Sequence, residues 1–170
     1  TIYSYMDMWY NPSSLYSPAQ EAANALKSAK ETVAHFLNSE MYEVYFTSCG
    51  SESNCWAIQG FVQNRLRKGR TPSVITSVIE HKSILSCVDG IGVDVHFIDV
   101  DTNGCIDLKA LEDTLKYVIS QKSGEDILVS IQYANNEIGT IQHIHDIALI
   151  VHKYGAIFHT DAVQAFGHIP

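Results

Sequence analysis

The sequence has 170 residues, 46% hydrophobic and 18% charged, which is enough apolar material for one sizeable core and excludes the polar, highly charged balance of a disordered chain. A formal net charge of -8, with 11 basic residues scattered among 19 acidic ones, excludes the basic footprint of a nucleic-acid binder. No apolar run approaches the ~18 residues of a membrane span, and the opening residues lack the layout of a secretory leader, so a single intracellular domain is expected.

Residues 1–9 are tyrosine-rich and lead into Tyr10-Asn11-Pro12-Ser13-Ser14, a turn-forming cluster with φ fixed at Pro12. From Ser17 to Leu37, small and apolar residues (Ala22, Ala23, Leu26, Ala29, Val33, Leu37) recur at helical spacing behind Ser17-Pro18 and predict an amphipathic helix. Residues 43–47 have the β-branched and aromatic content of a strand, which stops at Ser48-Cys49-Gly50-Ser51 before a helical pattern resumes over residues 52–65. This junction has two readings. It is a plain turn in which Ser51 caps the helix, or an anion cradle in which the first helical amides, a close backbone approach at Gly50 and the Ser51 hydroxyl face a negative group.

Ser73–Ser77 predicts a second strand, followed by Glu80-His81-Lys82-Ser83 and a helical run through Ile84, Leu85 and Val88. Further along, residues 93–100 predict a strand, Thr102-Asn103-Gly104 a turn, Leu108–Ile119 a helix, residues 127–132 an apolar strand and residues 144–154 a helix. Strands that alternate with helices and are apolar on both faces give an α/β fold with a mostly parallel sheet flanked by helices. In such sheets ligands sit beyond the carboxyl ends of the strands. On that edge the chain places Cys49-Gly50-Ser51, Glu80-His81, Ala134-Asn135-Asn136-Glu137, and Asp161 with Gln164. Asp161 closes a short apolar run with no cation beside it in sequence, so its partner must come from elsewhere in the fold or from a ligand. Cys49, Cys55, Cys87 and Cys105 form no CxxC pair and read as reduced thiols, and His143 and His145 have no evident third ligand, so no metal site is expected.

Five blocks carry a resemblance: Tyr10-Asn11-Pro12-Ser13-Ser14, Phe46-Thr47-Ser48-Cys49-Gly50-Ser51-Glu52-Ser53-Asn54, Ile79-Glu80-His81-Lys82-Ser83, Ala134-Asn135-Asn136-Glu137-Ile138-Gly139-Thr140-Ile141-Gln142 and Phe158-His159-Thr160-Asp161-Ala162-Val163-Gln164. In order, and over nearly the whole chain, they resemble the cysteine desulfurases, pyridoxal 5'-phosphate enzymes of the class V aminotransferase family and fold type I. The resemblance implies that residues 1–170 are part of the large cofactor-binding domain and end before the Schiff-base lysine, the persulfide cysteine and a C-terminal small domain. It implies that Gly50 and Ser51 hold the cofactor phosphate, with Ser51 in place of the family's usual threonine. It further implies that His81 stacks on the pyridine ring and acts catalytically on protons, that Asn136 and Gln164 contact the ring oxygen, and that Asp161 pairs with the protonated ring nitrogen.

The implied activity converts L-cysteine to L-alanine and passes the sulfur to an enzyme persulfide for iron-sulfur cluster or thionucleoside assembly. Residues 1–170 alone are expected to be inactive. A homodimer, a sulfur-acceptor or scaffold protein, and a cytoplasmic or organellar-matrix location go with the resemblance. A selenocysteine lyase, another class V enzyme and a non-catalytic interaction subdomain are the alternatives. The sequence departs from the family at Cys49, where glycine is usual and a small packed residue rather than a nucleophile is expected, at Tyr16 for histidine, and at His168 for lysine or arginine.

Overall fold

The computed structural model describes residues 3, 5, 6 and 9–169, and the chain divides into two units, Thr1–Thr47 and Ser48–Pro170. Most of the tyrosine-rich stretch predicted at residues 1–9 lies outside the described residues, as does Pro170.

The first unit is built on helix α1, Ser17–Leu37, which starts with Pro18 in its first turn and ends where Asn38 takes a left-handed conformation at φ 50. Both ends follow the preference for proline, which needs no N–H partner, at a helix start and for a short polar residue at the left-handed cap. The strand predicted at residues 43–47 does not form. Met41–Glu43 is a 3-10 turn closed by a reciprocal capping box between Glu40 and Glu43, and the residues after it join no sheet among the described residues. Strand propensity measures fit to a neighbouring pleated surface, and residues 43–47 pair with no strand among the described residues.

The second unit is a parallel four-stranded sheet between two helical layers. Its strands are β1 (Ser73–Ser77), β2 (Asp94–Ile98), β3 (Ile127–Ser130) and β4 (Ile157–His159), in the order β2-β1-β3-β4. Its helices are α2 (Gly50–Arg67), α3 (Lys82–Val88), α4 (Leu108–Ile119) and α5 (Ile144–Lys153). Alternate residues of the central strands face opposite layers. Val74 and Leu128 pack with Ile58 and Val62 of α2 and Ile84 of α3, whereas Ile75, Ile127 and Val129 pack with Leu111 and Leu115 of α4 and Ile147 and Val151 of α5. The chain steps from β1 to β2 in one direction and then doubles back past β1 to β3 and β4. Connections of one hand must then place α3 on one face and α4 and α5 on the other. The reversal makes the gap between β1 and β3 the topological switch point, where a crevice opens beyond the strand ends.

Two local devices hold this arrangement and give testable effects. Asp107 caps α4 by accepting hydrogen bonds from the Lys109 and Ala110 N–H groups at 2.8 and 3.3 Å, so Asp107→Ala is expected to cost ~1 kcal/mol in urea unfolding. Gly124 lies so close to the turn after α5 that an added Cβ would run into the Tyr154 carbonyl. Backbone cannot swing aside as a side chain can, so Gly124→Ala is expected to cost ~1–3 kcal/mol in the same measurement. No helix among the described residues is long and apolar enough to cross a membrane.

Candidate functional site

Beyond the carboxyl ends of β1, β3 and β4, a cavity of about 160 Å³ is lined by Gly50, Ser51, His81, Asn136, Asp161 and Gln164, together with Asn54, Ser83, Gln132 and Val163. The six residues marked from the sequence are thus brought to one place by four different parts of the second unit. Asn54, Ser83 and Gln132 were not marked.

Gly50 and Ser51 open α2. Cys49, in an extended conformation, is the N-cap residue, so the reading of Ser51 as the cap is corrected and Ser51 lies inside the first turn. A Cβ on Gly50 would sit 2.6 Å from Val163 Cγ2, so glycine lets this helix end approach the turn after Asp161. Cys49 is exposed rather than packed. Its thiol is held below the ordinary cysteine range, first by the Glu52 backbone N–H and then by the Ser48 hydroxyl. The Glu52 carboxylate is turned back onto Ser48, accepting from its N–H and its hydroxyl, both at 2.6 Å.

His81 follows β1 and is the N-cap of α3. Its Nδ1 accepts the Ser83 backbone N–H at 3.1 Å and lies 2.8 Å from Ser83 Oγ. A backbone N–H can only donate, so Nδ1 is the unprotonated nitrogen and the neutral ring carries its proton on Nε2. Behind it, the buried Glu80 carboxylate accepts the Ser77 hydroxyl at 2.5 Å and the Gln132 N–H at 3.1 and 2.9 Å. Burial pushes the Glu80 carboxyl up to about 7 against the pull of these donors, with a smaller push from the Asp161 charge.

Asn136 sits on the turn after β3. The neighbouring Asn135 shapes this turn, donating to the Ile79 carbonyl at 3.0 Å and accepting from the Glu137 and Ile138 N–H groups at 2.8 and 3.0 Å. Asp161, 8% exposed, stands just past β4, and Gln164 lies on the turn that follows it. The Asp161 Oδ2 accepts the Asn54 amide at 2.7 Å, and its Oδ1 accepts the Val163 N–H at 3.0 Å. The partner sought from the sequence is therefore neutral on the protein side, and a buried carboxylate with only neutral donors is a place for a cation. Next to it the His159 imidazole, bonded to Ser130 Oγ at 2.9 Å, is pushed below the ordinary histidine range by burial, although the Asp161 charge acts the other way. His143 and His145 lie at the start of α5, not on a strand.

A buried carboxylate with neutral donors and, in the same cavity, a helix N-terminus with a hydroxyl can take a positive and a negative group. The aminotransferase class-V family model matches residues 2–170. A cysteine desulfurase IscS of Methanosarcina thermophila is 40% identical over 163 residues, covering 94% of this chain and 38% of the relative. Among solved structures, a NifS-like protein from Rickettsia africae matches with a TM-score of 0.85 at 35% identity, over 99% of this chain and 44% of that one. SspA in complex with cysteine matches at 0.79 and 35% identity, over 95% of this chain and 45% of that one. The chain therefore spans less than half the length of these relatives. With the parallel sheet, the switch-point cavity and a match that runs from residue 2 to residue 170, the chain belongs to the aminotransferase class-V family.

Proposed function

We propose that the polypeptide carrying this chain is a pyridoxal 5'-phosphate-dependent cysteine desulfurase, which converts L-cysteine to L-alanine and passes the sulfur to a cysteine of the enzyme as a persulfide. The observation that carries the reading is Asp161, a buried carboxylate with neutral protein partners that lines the same cavity as the N-terminus of α2. The cysteine desulfurase relatives, and the structure solved with cysteine, support this substrate.

The residues present fit the cofactor. Gly50 and the Ser51 hydroxyl would hold its phosphate at the positive end of the α2 dipole. Asp161 would keep a positive charge on the ring nitrogen, and Asn136 and Gln164 would hydrogen-bond the ring oxygen. When bound, the cofactor supplies an electron-withdrawing ring that stabilises negative charge at the substrate carbon. His81, with Nδ1 engaged by Ser83, would stack on the ring and carry a proton at Nε2. Anchored by Asn54 and Val163, Asp161 keeps its place without rearranging, which is the preorganisation that electrostatic stabilisation requires.

No lysine among the described residues lines the cavity, so residues 1–170 alone would hold the cofactor reversibly and release no alanine. A homodimer, and delivery of sulfur to an acceptor protein for iron-sulfur cluster or thionucleoside assembly, complete the proposal. The test is an absorbance titration of residues 1–170 with pyridoxal phosphate, followed by dialysis. Saturable binding that is lost on dialysis is expected. A cofactor band that survives dialysis, or alanine release from L-cysteine by these residues alone, would overturn the reversible assignment, and absence of any binding would overturn the cofactor reading.

A further inference from the structure

We propose that Asn54 is a positioning residue that ties Asp161 to His81, by directing the Ser83 hydroxyl as a second donor to the histidine Nδ1 that the Ser83 backbone N–H already makes an acceptor. The inference rests on the cofactor reading above and extends the anchoring of Asp161 by Asn54 to Ser83 and His81. Asn54 is 4% exposed and shares the buried stripe of α2 with Ile58 and Val62, four and eight residues further on. An amide at an apolar stripe position must find partners, since a buried N–H without one costs as much as a lost hydrogen bond.

The Asn54 amide nitrogen finds two, one for each of its protons. It donates to Asp161 Oδ2 at 2.7 Å and to Ser83 Oγ at 3.0 Å. Three elements meet at this one group: α2, the start of α3, and the segment after β4. Ser83 Oγ accepts from Asn54, so its own proton is free to go to His81 Nδ1 at 2.8 Å, where the Ser83 backbone N–H also donates at 3.1 Å. The direction of every bond then follows from donor chemistry. Asp161 accepts, Asn54 gives twice, Ser83 receives and gives, and Nδ1 receives.

Two consequences follow. With Oδ2 held by Asn54 and Oδ1 by the Val163 N–H, both oxygens of Asp161 are fixed before any ligand arrives. With Nδ1 committed as an acceptor, Nε2 is the nitrogen of His81 that exchanges protons. The carboxylate charge polarises the chain of bonds, so the two ends reinforce each other.

The experiment uses the full polypeptide, with nitrogen-15 spectra of the His81 ring recorded without cofactor at a pH where the ring is neutral, and a separate titration with pyridoxal phosphate. The wild-type ring is expected to show one protonated and one bare nitrogen. Asn54→Ala is expected to leave Nε2 protonated, to move the Nδ1 signal towards that of a less strongly hydrogen-bonded bare nitrogen, and to weaken pyridoxal phosphate binding by about tenfold, the loss of roughly one hydrogen bond. Ser83→Ala should move the ring signals in the same direction and Ser83→Thr should restore them, which covers the case in which Asn54→Ala fails to fold. Unchanged ring signals in both Asn54→Ala and Ser83→Ala overturn the proposal even if the cofactor binds. Shifted ring signals in a protein that does not bind pyridoxal phosphate uphold the tie and overturn the cofactor reading instead.

Discussion

Asp161→Asn is expected to weaken pyridoxal phosphate binding by roughly 100- to 1,000-fold while changing the melting temperature of the cofactor-free protein little. The two effects separate because they have different physical sources. In the free protein the carboxylate is 8% exposed and, among the described residues, is paired with the neutral Asn54 amide and Val163 N–H, so its charge is poorly compensated. Asparagine keeps the volume and one accepting oxygen. It loses about one hydrogen bond, of order 1 kcal/mol, and removes a buried charge whose desolvation opposes folding. With a cationic ring nitrogen in place the balance inverts, since removing one partner of a buried pair leaves the other uncompensated. Thermal melts with and without cofactor read this directly. The wild-type protein should gain ~2.7 kcal/mol of apparent stability at a cofactor concentration 100 times its dissociation constant, and the variant almost none at the same concentration. An equal gain in both proteins would remove Asp161 from the ring-nitrogen role.

The sheet was legible because its signals are redundant. Ser73–Ser77 is buried on both faces and flanked by turn residues, and Leu108–Ile119 combines an Asp107 cap with an apolar stripe, so each has the predicted bounds. The run at residues 43–47 has only strand propensity behind it, and propensity cannot supply the neighbouring strand. The rule that ligands sit beyond strand ends singled out the segments after β1, β3 and β4 that hold His81, Asn136, Asp161 and Gln164, because it depends on topology alone, whereas Gly50 and Ser51 were marked behind a strand that does not form and line the cavity as the start of α2. Asn54, Ser83 and Gln132 escaped it, being polar residues within or next to regular elements, where an amide or hydroxyl reads as ordinary surface. For Asn54 the signal was present in its four-residue spacing to Ile58 and then Val62, which puts an amide where the pattern calls for an apolar side chain. Cys49, expected to be packed, is left exposed at the N-cap of α2.

The second large effect concerns Glu80, which lies directly before His81 and holds the N–H of Gln132, two residues past β3. Its carboxyl sits at about 7, above the ordinary value of 4.5, because burial outweighs the donors from Ser77 and Gln132. Between those two values the folded protein holds a proton that the unfolded chain has released. Glu80's contribution to stability is therefore full below about 4.5 and is lost as the pH rises through about 7, with a size of order 3 kcal/mol. Glu80→Gln cannot ionise, and its side-chain oxygen still accepts from Gln132 or Ser77. Urea unfolding of both proteins at pH 5 and pH 8 should show the variant gaining on wild type by up to ~3 kcal/mol as the pH rises. The histidines and other acids are common to both proteins and drop out of the difference. Parallel stability curves would mean that the carboxylate is ionised throughout and fully satisfied by its three hydrogen bonds. A diverging pair would show that the turn carrying His81 is held most tightly when Glu80 is protonated, with its own O–H given to Ser77 Oγ.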